Sequence, residues 1–362
     1  MFDNARGPAA TPRGRRELGD FTARILPASP AATTRIEIRR SVASAADWDQ
    51  FAGHCGASFR CAYRAARAWQ FEVHWFQRLY RWDILLIDAV TERKIGQCAV
   101  GVGRHRSVFS DSLQLLPAFA DRWPVAMSAL LQKMGPARYV YGSEWSLEPS
   151  RETELARMSR VVVNEIKPTN VQAIDLRRWP TFGDYLRDVS TNIRRNVKKA
   201  EKSYASLQIV TATGLARLAY VRKSIALRRT LFERKGVRRS TVGMVLRSTA
   251  RLVSLRRYSR SAYLLADGAP LASYVGVHFG STYAYLEGAS DPAGRGTAWY
   301  LLMAMIERAF ADSNGHGRFV MGSDDGTQAG VEAWEGLRRS REQCCATAFP
   351  TSVVQFTYGA TP

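Results

Sequence analysis

Residues 261–289, SAYLLADGAPLASYVGVHFGSTYAYLEGA, decide the fold. Three β-prone runs are separated by Asp267-Gly268 and Gly280-Ser281, dipeptides that suit two-residue hairpin turns. The stretch therefore predicts a three-stranded antiparallel meander over 261–266, 271–280 and 282–289. With Gly280-Ser281 as the second turn, Phe279 opposes Thr282, His278 opposes Tyr283, Gly276 opposes Tyr285 and Tyr274 opposes Glu287. One face then carries Val275, Val277, Ala284 and Leu286 and faces a core. The other carries Tyr274, His278, Tyr283, Tyr285 and Glu287, polar and aromatic together. Gly276 in mid-strand predicts a bulge.

Outward from the meander, helical and extended patterns alternate. Downstream, Ser290–Ala298 enters a helix that runs from about Thr297 to Asp312. The glycines Gly294 and Gly296, with Arg295 and Thr297, permit close approach, and free amides at a helix start suit a phosphate. The strand RFVMGS (318–323), a short helix around Val331–Arg339 and two strands near 343–349 and 353–358 follow. Upstream stand the strand VQAIDL (171–176), a long helix over about 182–204, the strand LQIVTA (207–212) and two basic helices, 214–235 and 240–258. The first basic helix is stopped by Gly236 and the second is capped by Ser240 or Thr241.

The first half reads similarly. RIEIRR (35–40) is a strand, and an aromatic helical stretch holds Trp48, Phe51, Trp69, Phe71, Trp75, Phe76 and Tyr80. ILLIDAV (84–90) and IGQCAVGVG (95–103) form a hairpin, PVAMSALLQKM (124–134) a helix, and YVYGSEW (139–145) a strand. The expected division is a leader over 1–34, a first domain over 35–165 and a second over 166–362. The fold class is α+β, with two units that each carry a mixed, mainly antiparallel sheet covered by helices.

Charge is concentrated. Between Arg194 and Arg260 stand 19 Lys and Arg against only Glu201 and Glu233, a balance of +17 in a chain whose formal net charge is +20. Such a field attracts a phosphate-rich polyanion. Arg194, Lys198 and Lys202 form an i, i+4 row with Arg195 and Lys199 beside it. Arg222, Arg229, Arg247 and Arg251 continue the charge over the two helices that follow. No apolar run approaches the ~18–20 residues of a membrane-spanning helix. Met1 to Arg16 has no apolar core resembling a secretory signal. The five cysteines (Cys55, Cys61, Cys98, Cys344 and Cys345) lack zinc-ligand spacing. These features point to a reduced, cytoplasmic protein with no metal motif and no resident cofactor.

The segment VQAIDLRRWPTFGDYLRDVSTNIRRNVKKAEK (171–202) resembles the opening of the second domain in FemAB/FemX-like transferases. It carries their strand ending in Asp-Leu, a helix, and a basic patch of the form R-x-N-x-x-K-A, here within Asn192–Ala200. The stretch 264–322 is similar to the same superfamily, which includes BioF2-like acetyltransferase domains. The resemblance implies two tandem GNAT-type domains and acyl transfer, with either aminoacyl-tRNA or a coenzyme A thioester as donor. Amide formation needs an acceptor for the amine's proton and donors for a tetrahedral oxyanion. Glu287 or His278 is the candidate base, and Tyr285 or Tyr274 a donor. The loop Gly294-Arg295-Gly296-Thr297 stands where GNAT proteins grip a pyrophosphate. Asp324 and Asp325 stand at a strand end, where they are placed to hold an acceptor amine.

Two departures qualify the resemblance. Fem-type enzymes often carry a Phe-Lys pair after the last helix. Here Trp334 can stand for the Phe, but Glu335 cannot act as the Lys, which leaves Arg338 or Arg339 to face the oxyanion. The long helical arm of some cell-wall relatives is also absent. The expected activity is transfer of an amino acid from tRNA to a small amine or peptide acceptor, with acyl-CoA-dependent N- or O-acyl transfer as the alternative.

Overall fold

The structure, a computed structural model, describes residues 34–73, 77–88, 90–234, 240–294, 296–323 and 331–359. The first half opens with β1 (Arg35–Arg40), α1 (Ala45–His54) and α2 (Tyr63–Val73). Next come β2 (Arg78–Ile87), β3 (Glu92–Val102), β4 (Ser107–Phe109) and β5 (Gln114–Leu115). It continues through α3 (Trp123–Met134), β6 (Ala137–Tyr141) and α4 (Glu152–Ala156) into β7 (Val161–Asp175). The second half holds α5 (Phe182–Asp188), α6 (Thr191–Ser203), β8 (Gln208–Ala212), α7 (Val221–Arg234) and α8 (Thr241–Ser254). It ends with β9 (Ser259–Ala266), β10 (Ala269–Phe279), β11 (Thr282–Ser290), α9 (Thr297–Ser313), β12 (Arg318–Ser323), α10 (Val331–Gln343) and β13 (Thr347–Tyr358). Trp75, Phe76 and Gly236 lie outside the described residues.

Among the described residues the strands form a single sheet in the order β1-β2-β3-β4-β6-β13-β7-β12-β11-β10-β9-β8, with β5 paired to β3. Each half contains the same parallel unit. In the first, β4 and β6 pair through Ser107↔Tyr139 and Val108↔Val140 across α3. In the second, β11 and β12 pair through Thr282↔Arg318, Tyr283↔Phe319 and Ala284↔Val320 across α9. The 165/166 boundary falls inside the continuous strand β7. The last strand also crosses the halves, since β13 pairs with both β6 and β7, and its Val354, Phe356 and Tyr358 lie in the first half's core.

The predicted helix over 182–204 is two helices. Val189 adopts φ −58, ψ 140, and the Ser190 hydroxyl accepts from the Ile193 amide as an N-cap. A capping serine inside an apolar-periodic run won over propagation, because it satisfies amides that a new helix start exposes. At the other end, α8 is capped by Ser240, whose hydroxyl accepts from the Gly243 amide.

The second half's sheet has two differently covered faces. Ile193 of α6 and Leu301, Met305 and Ile306 of α9 pack with Ala262, Leu264, Tyr274, Tyr283 and Phe319. The opposite face receives α7, α8 and the first half, where Phe59, Cys61 and Ala62 pack with Val277, Phe279, Ala284 and Val320.

Candidate functional site

The meander forms as its turns dictate. Asp267 and Gly268 adopt φ 49 and 77, as a two-residue turn with both residues at positive φ requires. The ladder runs Phe279↔Thr282, His278↔Tyr283 and Gly276↔Tyr285 as expected, and then shifts. The bulge at Val275/Gly276 makes Leu286 the extra residue, so Glu287 opposes Val275, and Tyr274 opposes Gly288. The expected pair of Tyr274 with Glu287 is therefore corrected. A bulge breaks the period-two alternation, so Glu287 moves to the face of Val275 and Leu286 while Tyr274 and Tyr285 stay on the other.

There the Glu287 carboxylate accepts from two guanidiniums, Arg228 of α7 at 2.5 Å and Arg251 of α8 at 2.6 Å. Beneath them a cavity of about 30 Å³, lined by Ser248, Arg251, Val275, Leu286 and Glu287 among others, has room for water only. A substrate must approach from elsewhere.

An opening is offered where β11 and β12 part. Their pairing stops at Ala284 and Val320, while β12 stays paired with β7 from Arg318 against Asp175, through a shift after Val320, to Ser323 against Val171. Tyr285 stands at this opening, stacked on Tyr274 with ring centroids 5.2 Å apart. Its ring crosses Gly288 so closely that a Cβ there would fall 1.8 Å from the phenol oxygen. Burial pushes the Tyr285 phenol up to about 12, with nearby Arg341 pulling it down and Glu287 pushing it up, so it is a neutral donor at physiological pH. Burial raises Tyr274 further still.

Arg341 of α10 is buried beside the opening and donates to the Ser323 carbonyl at 2.8 Å. At Gly322 an added Cβ would come within 3.0 Å of its Nη2 and 3.7 Å of the Trp145 ring, so the first half's Trp145 reaches the same corner. Arg338 and Arg339, the expected oxyanion partners, are exposed on α10, and Arg338 lies 3.5 Å from Glu342. The inward guanidinium is Arg341 instead. Arg341 stands outside the residues the sequence pattern singles out. Its signal is the i, i+3 spacing to buried Cys344, which puts both on the inner face. Trp334 lies on α10, but its side chain lies outside the described residues, as do Arg295, Asp324 and Asp325.

His278 is not brought to this opening. It stacks on Tyr283 at 4.0 Å and shares a hydrogen bond with the Gly280 carbonyl at the turn. Four strand residues, roughly 13 Å, separate the level of Tyr283 from Glu287. Burial and Arg260 lower its pKa.

The loop that enters α9 meets the backbone of α6. Gly296, at φ 79, caps α9, and a Cβ there would lie 2.0 Å from the Asn196 carbonyl of α6. Thr297 is buried and its hydroxyl donates to the Gly294 carbonyl at 2.8 Å. The α9 start therefore sits against the helix that presents Arg194, Arg195, Lys198, Lys199 and Lys202, all exposed, around a shallow recess. The other basic residues are not part of this surface. Arg222 and Arg229 on α7, and Arg247 and Arg251 on α8, belong to elements on the opposite face of the sheet. Arg229 pairs with Glu233 at 2.7 Å, Arg251 is engaged by Glu287, and the Arg247 side chain lies outside the described residues. The single basic patch read from the sequence is thus split by the sheet.

Among the described residues the first half has no matching opening. Past β4 and β6, buried Asp111 accepts from the hydroxyls of Ser58 at 2.5 Å and Ser143. Its backbone carbonyl accepts from the Gly142 amide at 2.9 Å, which closes the gap. Burial pushes the Cys61, Cys98 and Cys344 thiols up, which disfavours the thiolate a nucleophile needs. Among the described residues no three His, Cys, Asp or Glu gather as a metal site, and no helix is long and apolar enough to cross a membrane.

A parallel strand pair that parts next to a β-bulge is the arrangement of the GNAT fold. Residues 187–328 match the family described as "Acetyltransferase (GNAT) domain". Most of the chain has the fold of FemX, with a TM-score of 0.64 at 9% identity over 87% of this chain and 96% of that one. A conserved protein of unknown function from Bacteroides thetaiotaomicron VPI-5482 superposes with a TM-score of 0.55 at 10% identity, over 89% of this chain and 100% of its own. The C-terminal domain of a putative lysylphosphatidylglycerol synthetase from Agrobacterium fabrum gives 0.51 at 11% identity, over 88% and 93%. No curated protein sequence matches the chain.

Proposed function

We propose that the protein transfers an aminoacyl group from aminoacyl-tRNA to an amine, with the chemistry in the second half (166–362) and the first half (35–165) walling the site. The observation that carries this reading is the seating of Gly296 on Asn196. It sets the amide end of α9 against α6, the helix whose exposed side carries the cationic row. From Arg194 to Lys202 that row spans about 12 Å, longer than a pyrophosphate needs and suited to successive phosphates of an RNA strand.

The acyl carbonyl would enter between β11 and β12, where Tyr285 and Arg341 supply donors for the oxyanion. Glu287, held by Arg228 and Arg251, is a positioning residue in this scheme and not the base. Three guanidiniums against one carboxylate favour a developing anion over an ammonium, so the attacking amine arrives neutral. Attack of the neutral amine on the ester carbonyl forms the amide and breaks the bond to the ribose oxygen, which takes up the proton the amine gives up and leaves as the tRNA's hydroxyl, so positioning and oxyanion stabilisation suffice for the bond change.

The test supplies charged tRNA and acyl-CoA separately, each with and without ribonuclease. Product from charged tRNA that ribonuclease abolishes is the expected result. The acetyltransferase description of the matched family favours the second reading, an acyl-CoA donor. Ribonuclease-resistant product from acyl-CoA alone would establish it.

A further inference from the structure

The helix α8 turns Met244, Ser248, Arg251 and Leu255 toward the sheet, where Met244 and Leu255 are buried and the others line the small cavity. At 3.6 residues per turn, Val242, Leu246 and Val253 fall on the line opposite Met244. Their exposures are 67%, 64% and 57%. The 3-10 turn Gly214–Tyr220 packs against α8 and exposes Leu215 and Leu218 at 65% and 46%. Single exposed aliphatics need no explanation, but a row of them on adjoining elements does. Exposed Arg222, Lys223, Arg256 and Arg257 lie on the neighbouring positions. From Lys202 to Arg260 the only acid is Glu233, already paired with Arg229.

We propose that this surface, the outer line of α8 with the turn Gly214–Tyr220, docks onto an anionic lipid bilayer. An aliphatic row with a cationic border matches the boundary between acyl chains and negatively charged headgroups. A second copy presenting the same face would bring like charges together. An RNA strand supplies phosphates but has no use for an aliphatic row, which lacks the aromatic surfaces on which bases stack. The surface lies across the sheet from α6, so the α6 row stays open to its own ligand while α8 is docked. The bilayer would hold the protein where an acceptor carried by lipid could reach the opening. The docking claim itself stands whichever donor the enzyme uses.

The full chain is tested by co-sedimentation with phosphatidylcholine vesicles and with phosphatidylcholine vesicles containing phosphatidylglycerol, at low and high salt. Binding to the anionic vesicles alone is expected, weakened by salt. The combined variant Val242→Glu, Leu246→Glu and Val253→Glu should weaken it at least about tenfold, since apolar burial at three positions is lost and negative charge added. A combined serine variant, which adds no charge, should weaken it less but in the same direction. Absence of vesicle binding by the wild-type chain overturns the proposal. So does binding that neither folded variant changes. Loss of tRNA affinity in the same variants would assign the surface to RNA. A concentration-dependent dimer that the variants dissolve would assign it to a second copy.

Discussion

Replacing Glu287 with Gln isolates what the carboxylate does between its two arginines. The substitution preserves shape and one acceptor oxygen and removes the negative charge. The side chains of Glu287 and Arg228 are 17% and 14% exposed, so that pair is largely out of water, whereas Arg251 is 35% exposed. Removing one partner of a buried pair costs about 3–5 kcal/mol, because the other charge stays desolvated without compensation. Water screens the Arg251 share, so the expected loss is about 2–3 kcal/mol. In urea, with a slope of about 2–3 kcal/mol/M, the unfolding midpoint should fall by about 1 M. Adding Arg228→Met should recover part of the loss, since the stranded cation disappears with its partner. Tryptophan fluorescence in urea reads both variants. A midpoint within about 0.2 M of wild type would refute the reasoning, because it would mean that the pair is solvated and contributes nothing. Turnover adds a second reading. A neutral amine acceptor predicts that kcat falls only as far as the site loosens, whereas a base role predicts a loss of about 10²–10⁴.

Arg341→Ala should lower kcat by about 10²–10³ with KM for the donor little changed, as loss of one oxyanion donor does, whereas Arg338→Ala and Arg339→Ala should leave it near wild type. Gly296→Ala should destabilise by at least about 1–3 kcal/mol and weaken donor binding, because φ 79 and the Asn196 carbonyl both oppose a Cβ; thermal unfolding and donor titration check it. Charge reversal of Arg194, Lys198 and Lys202 to Glu should weaken tRNA binding whatever the amino acid carried, and should flatten the slope of affinity against salt. At alkaline pH, Tyr139, Tyr263 and Tyr285 are each pushed by burial from 10.0 to about 12. The buried Cys61, Cys98 and Cys344 thiols are raised from 9.0 in the same way, so the folded state holds protons that the unfolded chain loses first, and stability should hold from neutral pH to about 9 and fall from there to 12. Equilibrium unfolding across that range measures it.

What the sequence made legible was local. The turn pairs Asp267-Gly268 and Gly280-Ser281 set the meander because positive φ, at both residues of the first and at Gly280 of the second, is a local property of the residue types. Gly276 announced a bulge, and the bulge arrived. Its consequence for Glu287 was not readable, because which strand takes the extra residue depends on packing around Leu286 and on two guanidiniums from helices that follow β8. The crossing of β13 into the first half was equally invisible. Its alternating Val354, Phe356 and Tyr358 fit either core, and nothing local in 353–358 selects a partner as distant as β6.

The basic stretch shows the same limit in electrostatic form. A balance of +17 in one segment is a property of the chain, but a surface is a property of faces. Because β8 separates α6 from α7 and α8, the charges are distributed to both sides of the sheet. One set lies on the exposed side of α6, the helix against which the start of α9 is seated. The other has Arg228 and Arg251 turned inward to Glu287, while its outer side carries Val242, Leu246 and Val253 among the remaining cations. Two cationic surfaces with different apolar content select different polyanions. The α6 row has only its charges to offer, and a flexible phosphate strand is served by that. The α8 surface couples charge to exposed aliphatic area, and that combination gains free energy only where its ligand can bury the aliphatics as well.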